Sequence, residues 1–180
     1  MRPALFALTG VALFAYWALG RPTFEASASM SEWPTVIWFS ATLALLAVAL
    51  PVFGRMVGGR WVVRLALTAG AAIGLSSVAN IFEDGLDLDW AFAVFILGDF
   101  VSLVSLLALT VVIAATRRGS GRLLALVPAG TTLGLVLFVY AGGIIMLGTW
   151  LVAAAAARLG SAARASQAVI GNRGAIDDPA

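Results

Sequence analysis

The stretch Trp90-Ala-Phe-Ala-Val-Phe-Ile-Leu-Gly-Asp99-Phe-Val-Ser-Leu-Val-Ser-Leu-Leu-Ala-Leu-Thr-Val-Val-Ile-Ala114 decides the fold. It is long enough to cross a bilayer, because about 20 helical residues span the roughly 30 Å of hydrocarbon. Asp99 is its only charged side chain. It lies nine residues past Trp90, which at about 1.5 Å per residue is about 13 Å below the interface and close to the midplane. An ionisable group at that depth is costly and marks a partner, a proton or a function.

The flanking sequence repeats the apolar pattern. Ala4–Gly20 is an unbroken apolar run. Met1-Arg2 before it and Ala26-Ser27-Ala28 after it resemble a signal peptide and its cleavage site. The lone Arg in the leader and the Arg21-Pro22 pair ahead of the cut favour retention as a first span. Further runs cover Trp33–Phe53 and Trp61–Phe82, with tryptophans at their ends as in an interfacial belt. Leu123–Ala157 has 35 residues without a charge. One helix of that length would measure about 52 Å, far beyond the bilayer core. A turn at Tyr140-Ala-Gly-Gly143 divides it into two short spans, since Gly-Gly is a turn signal. The alternative is one long tilted helix.

The expected architecture is an all-α, polytopic membrane helical bundle. Its six spans cover residues 4–20, 33–53, 61–82, 90–116, 123–139 and 144–158, or five spans if 123–157 is continuous. Residues 160–180, rich in Ala, Gly, Ser and Arg, are expected to form a mobile polar tail. The whole-chain values agree with a membrane protein: 180 residues, 62% hydrophobic and 11% charged, with mean hydropathy +1.03. A soluble domain carries about twice that charged fraction.

The missing residue types exclude much chemistry. The chain has no Cys, no His and no Lys, so all eleven basic residues are Arg. Thiolate chemistry, His or Cys zinc sites, His-ligated haem, Schiff bases, a P-loop lysine and a Ser-His-Asp triad are all excluded within this chain. No cofactor is expected. An intramembrane aspartyl protease needs two carboxylates sharing a proton, and Asp99 has no second acid at its depth. The chain is therefore not expected to be an enzyme.

The net charge of +2 comes from sparse arginines at the ends of apolar runs, a topology signal and not a nucleic-acid surface. Arg55, Arg60 and Arg64 cluster between the second and third spans, and Arg117, Arg118 and Arg122 follow the fourth. Between them lies Glu83-Asp-Gly-Leu-Asp-Leu-Asp89, which has no basic residue. The positive-inside rule puts the arginine loops in the cytoplasm and the acidic loop outside. With six spans both termini are cytoplasmic, in a multi-pass protein of the cell membrane.

The polar residues gather on the hairpin of the third and fourth spans. Gly70 and Gly74 form a GxxxG that lets another helix approach closely, and Ser77 continues their stripe with Asn80 on its flank. Counting from the turn, Ser76 and Ser77 reach the depth of Asp99, and Ser77 is expected beside it. Ser102 shares a face with Asp99. Arg64 lies nearer the cytoplasm and is expected to snorkel away. Asp99, Ser77, Ser102 and Asn80 thus form a candidate proton or cation site. Glu83, Asp84, Asp87 and Asp89 form a candidate external cation loop, because dense carboxylates suit Ca²⁺ or Mg²⁺. Equally, Asp87 or Asp89 can cap the fourth span while the others are solvated.

Two functions follow as expectations. One is a non-catalytic, membrane-embedded interaction or accessory protein, with the lipid bilayer and a homo-oligomer or another membrane protein as partners. The other is a small H⁺- or cation-linked transporter or channel in which Asp99 titrates.

Overall fold

The computed structural model describes residues 2–20 and 33–174. Helix α1 (Arg2–Ala15) runs into a π-helical turn, Tyr16–Gly20. Helices α2 (Trp33–Val57) and α3 (Arg60–Asn80) follow, and α3 also ends in a π turn, Ile81–Gly85. Helix α4 (Asp89–Thr116) leads to a 3₁₀ turn, Gly119–Ala125, that feeds α5 (Leu126–Val136). A third π turn, Phe138–Gly142, precedes α6 (Gly143–Gly174). The described residues contain no strand, and the fold is an all-α bundle.

Among the described residues, five stretches are long and apolar enough to cross a membrane: Arg2–Leu19, Trp33–Val57, Arg60–Gly85, Asp89–Thr116 and Tyr140–Ala162. Helix α5 has only 11 residues and is lengthened at its start by the 3₁₀ turn. Leu123–Ala157 is accordingly not one long helix. The chain reverses after α5, where the Leu137 carbonyl accepts from the N–H groups of Tyr140, Ala141 and Gly142 at 2.9, 3.1 and 2.9 Å. Glycines let the two arms close. A Cβ on Gly130 would strike Thr149 Oγ1, and one on Gly134 would lie 2.6 Å from Met146 Cγ. The Ala-rich run 153–157 favours helix, and α6 continues to Gly174 through most of the tail expected from residue 160. Residues 175–180 and the Ala26-Ser27-Ala28 motif lie outside the described residues.

Each helix packs against the next in sequence, and α6 closes on α1. Residue pairs such as Phe6–Phe53 and Tyr16–Phe39 give antiparallel neighbours. Fully buried Phe6, Phe53, Trp150, Leu46, Leu106 and Met146, drawn from four helices, fill the interior. In lipid this packing gains dispersion contacts, since the solvent outside is already apolar. The outer sides carry Trp61, Phe100 and Val111, each about two-thirds exposed at 63%, 65% and 66%.

The up-and-down path gives the bundle two unlike ends. The α2–α3 and α4–α5 connections share one end, where the Arg117 guanidinium donates to the carbonyls of Val57 and, at 2.7 Å, Gly58. A cation there also complements the C-terminal dipole of α2. Gly58 and Gly59 make the tight link to α3 at φ 77° and 97°, where glycine carries no Cβ penalty. At this arginine end Arg64 lies 5.4 Å over the Trp61 ring. The α3–α4 connection, with Glu83, Asp84, Asp87 and Asp89, forms the opposite, acidic end.

Candidate functional site

The seam between α3 and α4 is set by a glycine. A Cβ on Gly98 would fall on Ser76 Oγ and lie 2.8 Å from the Ala72 carbonyl, so only glycine lets the helices approach this far. Its neighbour Asp99 is thereby brought against α3, half-buried, with the Ser76 hydroxyl as its side-chain partner. Ser76 also donates to the Phe95 carbonyl at 3.1 Å. One hydroxyl proton thus faces two acceptors, the Phe95 carbonyl and the Asp99 carboxyl. Among the described residues no cation is paired with Asp99, and Arg64 is held over Trp61.

The other expected members of this site do not converge on the carboxyl. Ser102 is fully buried and donates to the Asp99 backbone carbonyl at 2.8 Å, a local bond within α4. Ser77, expected beside Asp99, instead donates to the Ser40 carbonyl of α2 at 2.7 Å. Asn80 Nδ2 donates to Ser40 Oγ at 3.1 Å. Both face α2 because the small-residue stripe of α3 receives that helix, while Ser76, one residue and about 100° round, receives α4.

The GxxxG motif is asymmetric. A Cβ on Gly70 would sit 2.6 Å from the Ala47 carbonyl and 2.9 Å from Pro51 Cδ. Pro51 has no N–H, so the Ala47 carbonyl lacks its usual i+4 donor inside α2, and Gly70 lies directly against that exposed acceptor. A Cβ on Gly74 would meet only Ala47 Cβ, at 3.6 Å.

At the acidic end Glu83 and Asp84 lie half-buried in the π turn, whereas Asp87 and Asp89 are exposed. Among the described residues no three carboxylates gather into a group able to hold a metal ion. Asp87 adopts φ 56° in the turn, and the N-cap of α4 is Leu88, without a side-chain capping bond. Asp89 instead acts from the first helical turn, where its charge suits the dipole. Asp84 is within electrostatic reach of Tyr16. That buried ring stacks on Phe39 at 4.9 Å and on Phe138 at 6.0 Å.

Sequence reasoning missed three participants: Gly98, Ser76 as the partner of Asp99, and Arg117 as the clamp between two loops. A glycine beside the lone midspan acid was the one signal available for the first two. Arg117 gave none beyond its charge. Comparison of the chain with protein-family models, curated proteins and solved structures finds no match to any. The site must therefore speak through its chemistry. It offers one carboxyl within an apolar seam, able to exchange a hydrogen bond or a proton with a group from outside the chain.

Proposed function

We propose that this protein is a non-catalytic, membrane-embedded interaction protein, and that the Asp99 side of α4 receives a helix of another membrane subunit. The observation that carries this reading is the half-buried Asp99 carboxyl, which has a hydroxyl beside it and no cation paired with it among the described residues. Large apolar side chains fill the bundle interior, which favours a lateral contact over a path through the bundle. The positive-inside rule places the arginine end in the cytoplasm of a multi-pass protein of the cell membrane.

The chain has no cysteine, so single cysteines introduced by Ile96→Cys or Phe100→Cys give a clean crosslinking test in native membranes. The expected result is a crosslinked species that persists in an added Asp99→Asn background, because Asn keeps the shape and can still donate. It is expected to be lost with Asp99→Leu. The same variants in proteoliposomes test the transport reading. Proton or cation flux that disappears in a correctly folded Asp99→Asn protein would overturn the interaction reading in favour of an H⁺- or cation-linked carrier.

A further inference from the structure

Helices α5 and α6 leave an open, mostly apolar groove of about 390 Å³ on their outer side, lined by Leu126, Ala129, Gly130, Leu133, Gly148, Thr149 and Val152. Gly130 is filled from within, by Thr149. Gly148 is not: a Cβ there would meet nothing within 4 Å, so none of the described residues uses the space of its missing side chain. A mid-helix glycine costs about 1 kcal/mol relative to alanine, and packing inside the bundle does not explain it here.

The groove points toward the arginine end. Leu123 is exposed three residues before Leu126, and exposed Arg122 lies four residues before it, about 6–8 Å closer to that end. Arg122 Nε donates to the Arg117 carbonyl at 3.0 Å, which fixes the base of the guanidinium and leaves its terminal nitrogens for an outside acceptor. Arg118 is exposed beside it in sequence, and the described acids all lie on α4 or at the opposite end. A linear apolar slot ending in uncompensated guanidinium groups matches one amphiphile, an anionic phospholipid.

We propose that the α5–α6 groove binds an anionic phospholipid, with one acyl chain along Leu126–Leu133 and Gly148 and the phosphate at Arg122 and Arg118. Guanidinium suits the phosphate because its planar fork donates two bonds at once. Each arginine near a charged headgroup contributes about 1 kcal/mol, or about fivefold in occupancy. The site is separate from Asp99 and stands whether or not that residue meets a partner.

The test is native mass spectrometry of the full chain offered equal amounts of dioleoyl phosphatidylglycerol and dioleoyl phosphatidylcholine. Wild type is expected to retain the glycerol lipid about 25-fold more, about fivefold from each arginine. Arg122→Gln should cut that preference about fivefold, and Arg118→Gln combined with it should bring the two lipids to equal retention. Gly148→Leu, which fills the slot without meeting a described neighbour, should lower both about fivefold or more, the loss of about one or two buried acyl CH₂ groups, while Val104→Leu on the exposed side of α4 changes neither. Equal retention by wild type, or undiminished retention by Gly148→Leu, overturns the proposal. So does a change of oligomeric mass in Gly148→Leu, which would make a second copy the occupant. If that variant does not fold, phosphatidylglycerol carrying a diazirine on its acyl chain decides on wild type. Labelling of Leu126, Leu133 or Val152 is expected, and labelling confined to α3 or α4 overturns the proposal.

Discussion

Three glycines of similar appearance in the sequence have different roles. Gly98→Ala should destabilise the bundle by about 1–3 kcal/mol, because the new methyl must push Ser76 and the Ala72 carbonyl aside. Gly70→Ala should have a comparable effect against Ala47 and Pro51. Gly74→Ala should be neutral or stabilising by up to about 1 kcal/mol, since its Cβ finds ordinary contact and the helix gains propensity. Unfolding midpoints in one detergent rank the three, and equal values would contradict the asymmetric reading. Asp99 was legible in the sequence because a lone acid in an apolar span is visible without any fold. Its partner was not. Ser76 and Ser77 sit at nearly the same depth, and only the rotation of α3 between α2 and α4 assigns one serine to each neighbour. That rotation depends on where Pro51 exposes a carbonyl on α2 and where Gly98 opens a hollow on α4, both of which are tertiary facts.

The connections between helices carry more information than their polarity suggested. Arg117 read as one topology charge among several, yet it ties the end of α2 to the end of α4 through two carbonyls. Arg117→Ala leaves those acceptors without their donor and should cost about 1–3 kcal/mol, read as a lower unfolding midpoint. Arg118→Ala next to it, exposed and without such bonds, should cost little, which separates the clamp from a general effect of charge. The α5–α6 turn was legible from Gly142-Gly143 alone, because a chargeless turn still needs backbone freedom. The brevity of α5 was not, since the 3₁₀ turn that extends it begins in the polar Gly119-Ser-Gly121 segment, ahead of the apolar run.

For the molecule as a whole, the helical path places residues of both termini, Arg2 and Arg158, at the end that holds Arg60, Arg117 and Arg122. A topology reporter fused after Ala180 should therefore lie on the same side of the membrane as one inserted at Ser120. One inserted after Leu86 should lie on the other side. Finding the Ala180 and Ser120 reporters on opposite sides would contradict the path of α5 and α6. The fold class was readable from composition and span length, because each span states its own hydrophobicity. The closure of α6 onto α1 was not, since it joins the two ends of the chain and rests on packing such as the Phe6–Trp150 contact at 5.7 Å.

The three helices that travel toward the acidic end, α1, α3 and α5, are each followed there by a π turn. Such a turn closes from residue i to i+5, so it holds one residue more than an α-helical turn. A single-residue deletion inside one of these turns can be absorbed by reversion to α-helix, with the next helix keeping its register. The same deletion within a helix would rotate everything beyond it by about 100° and turn its buried face outward. Single-residue deletions are therefore tolerated at one end of this bundle and excluded at the other, where a glycine pair and a 3₁₀ turn fix the length of the chain.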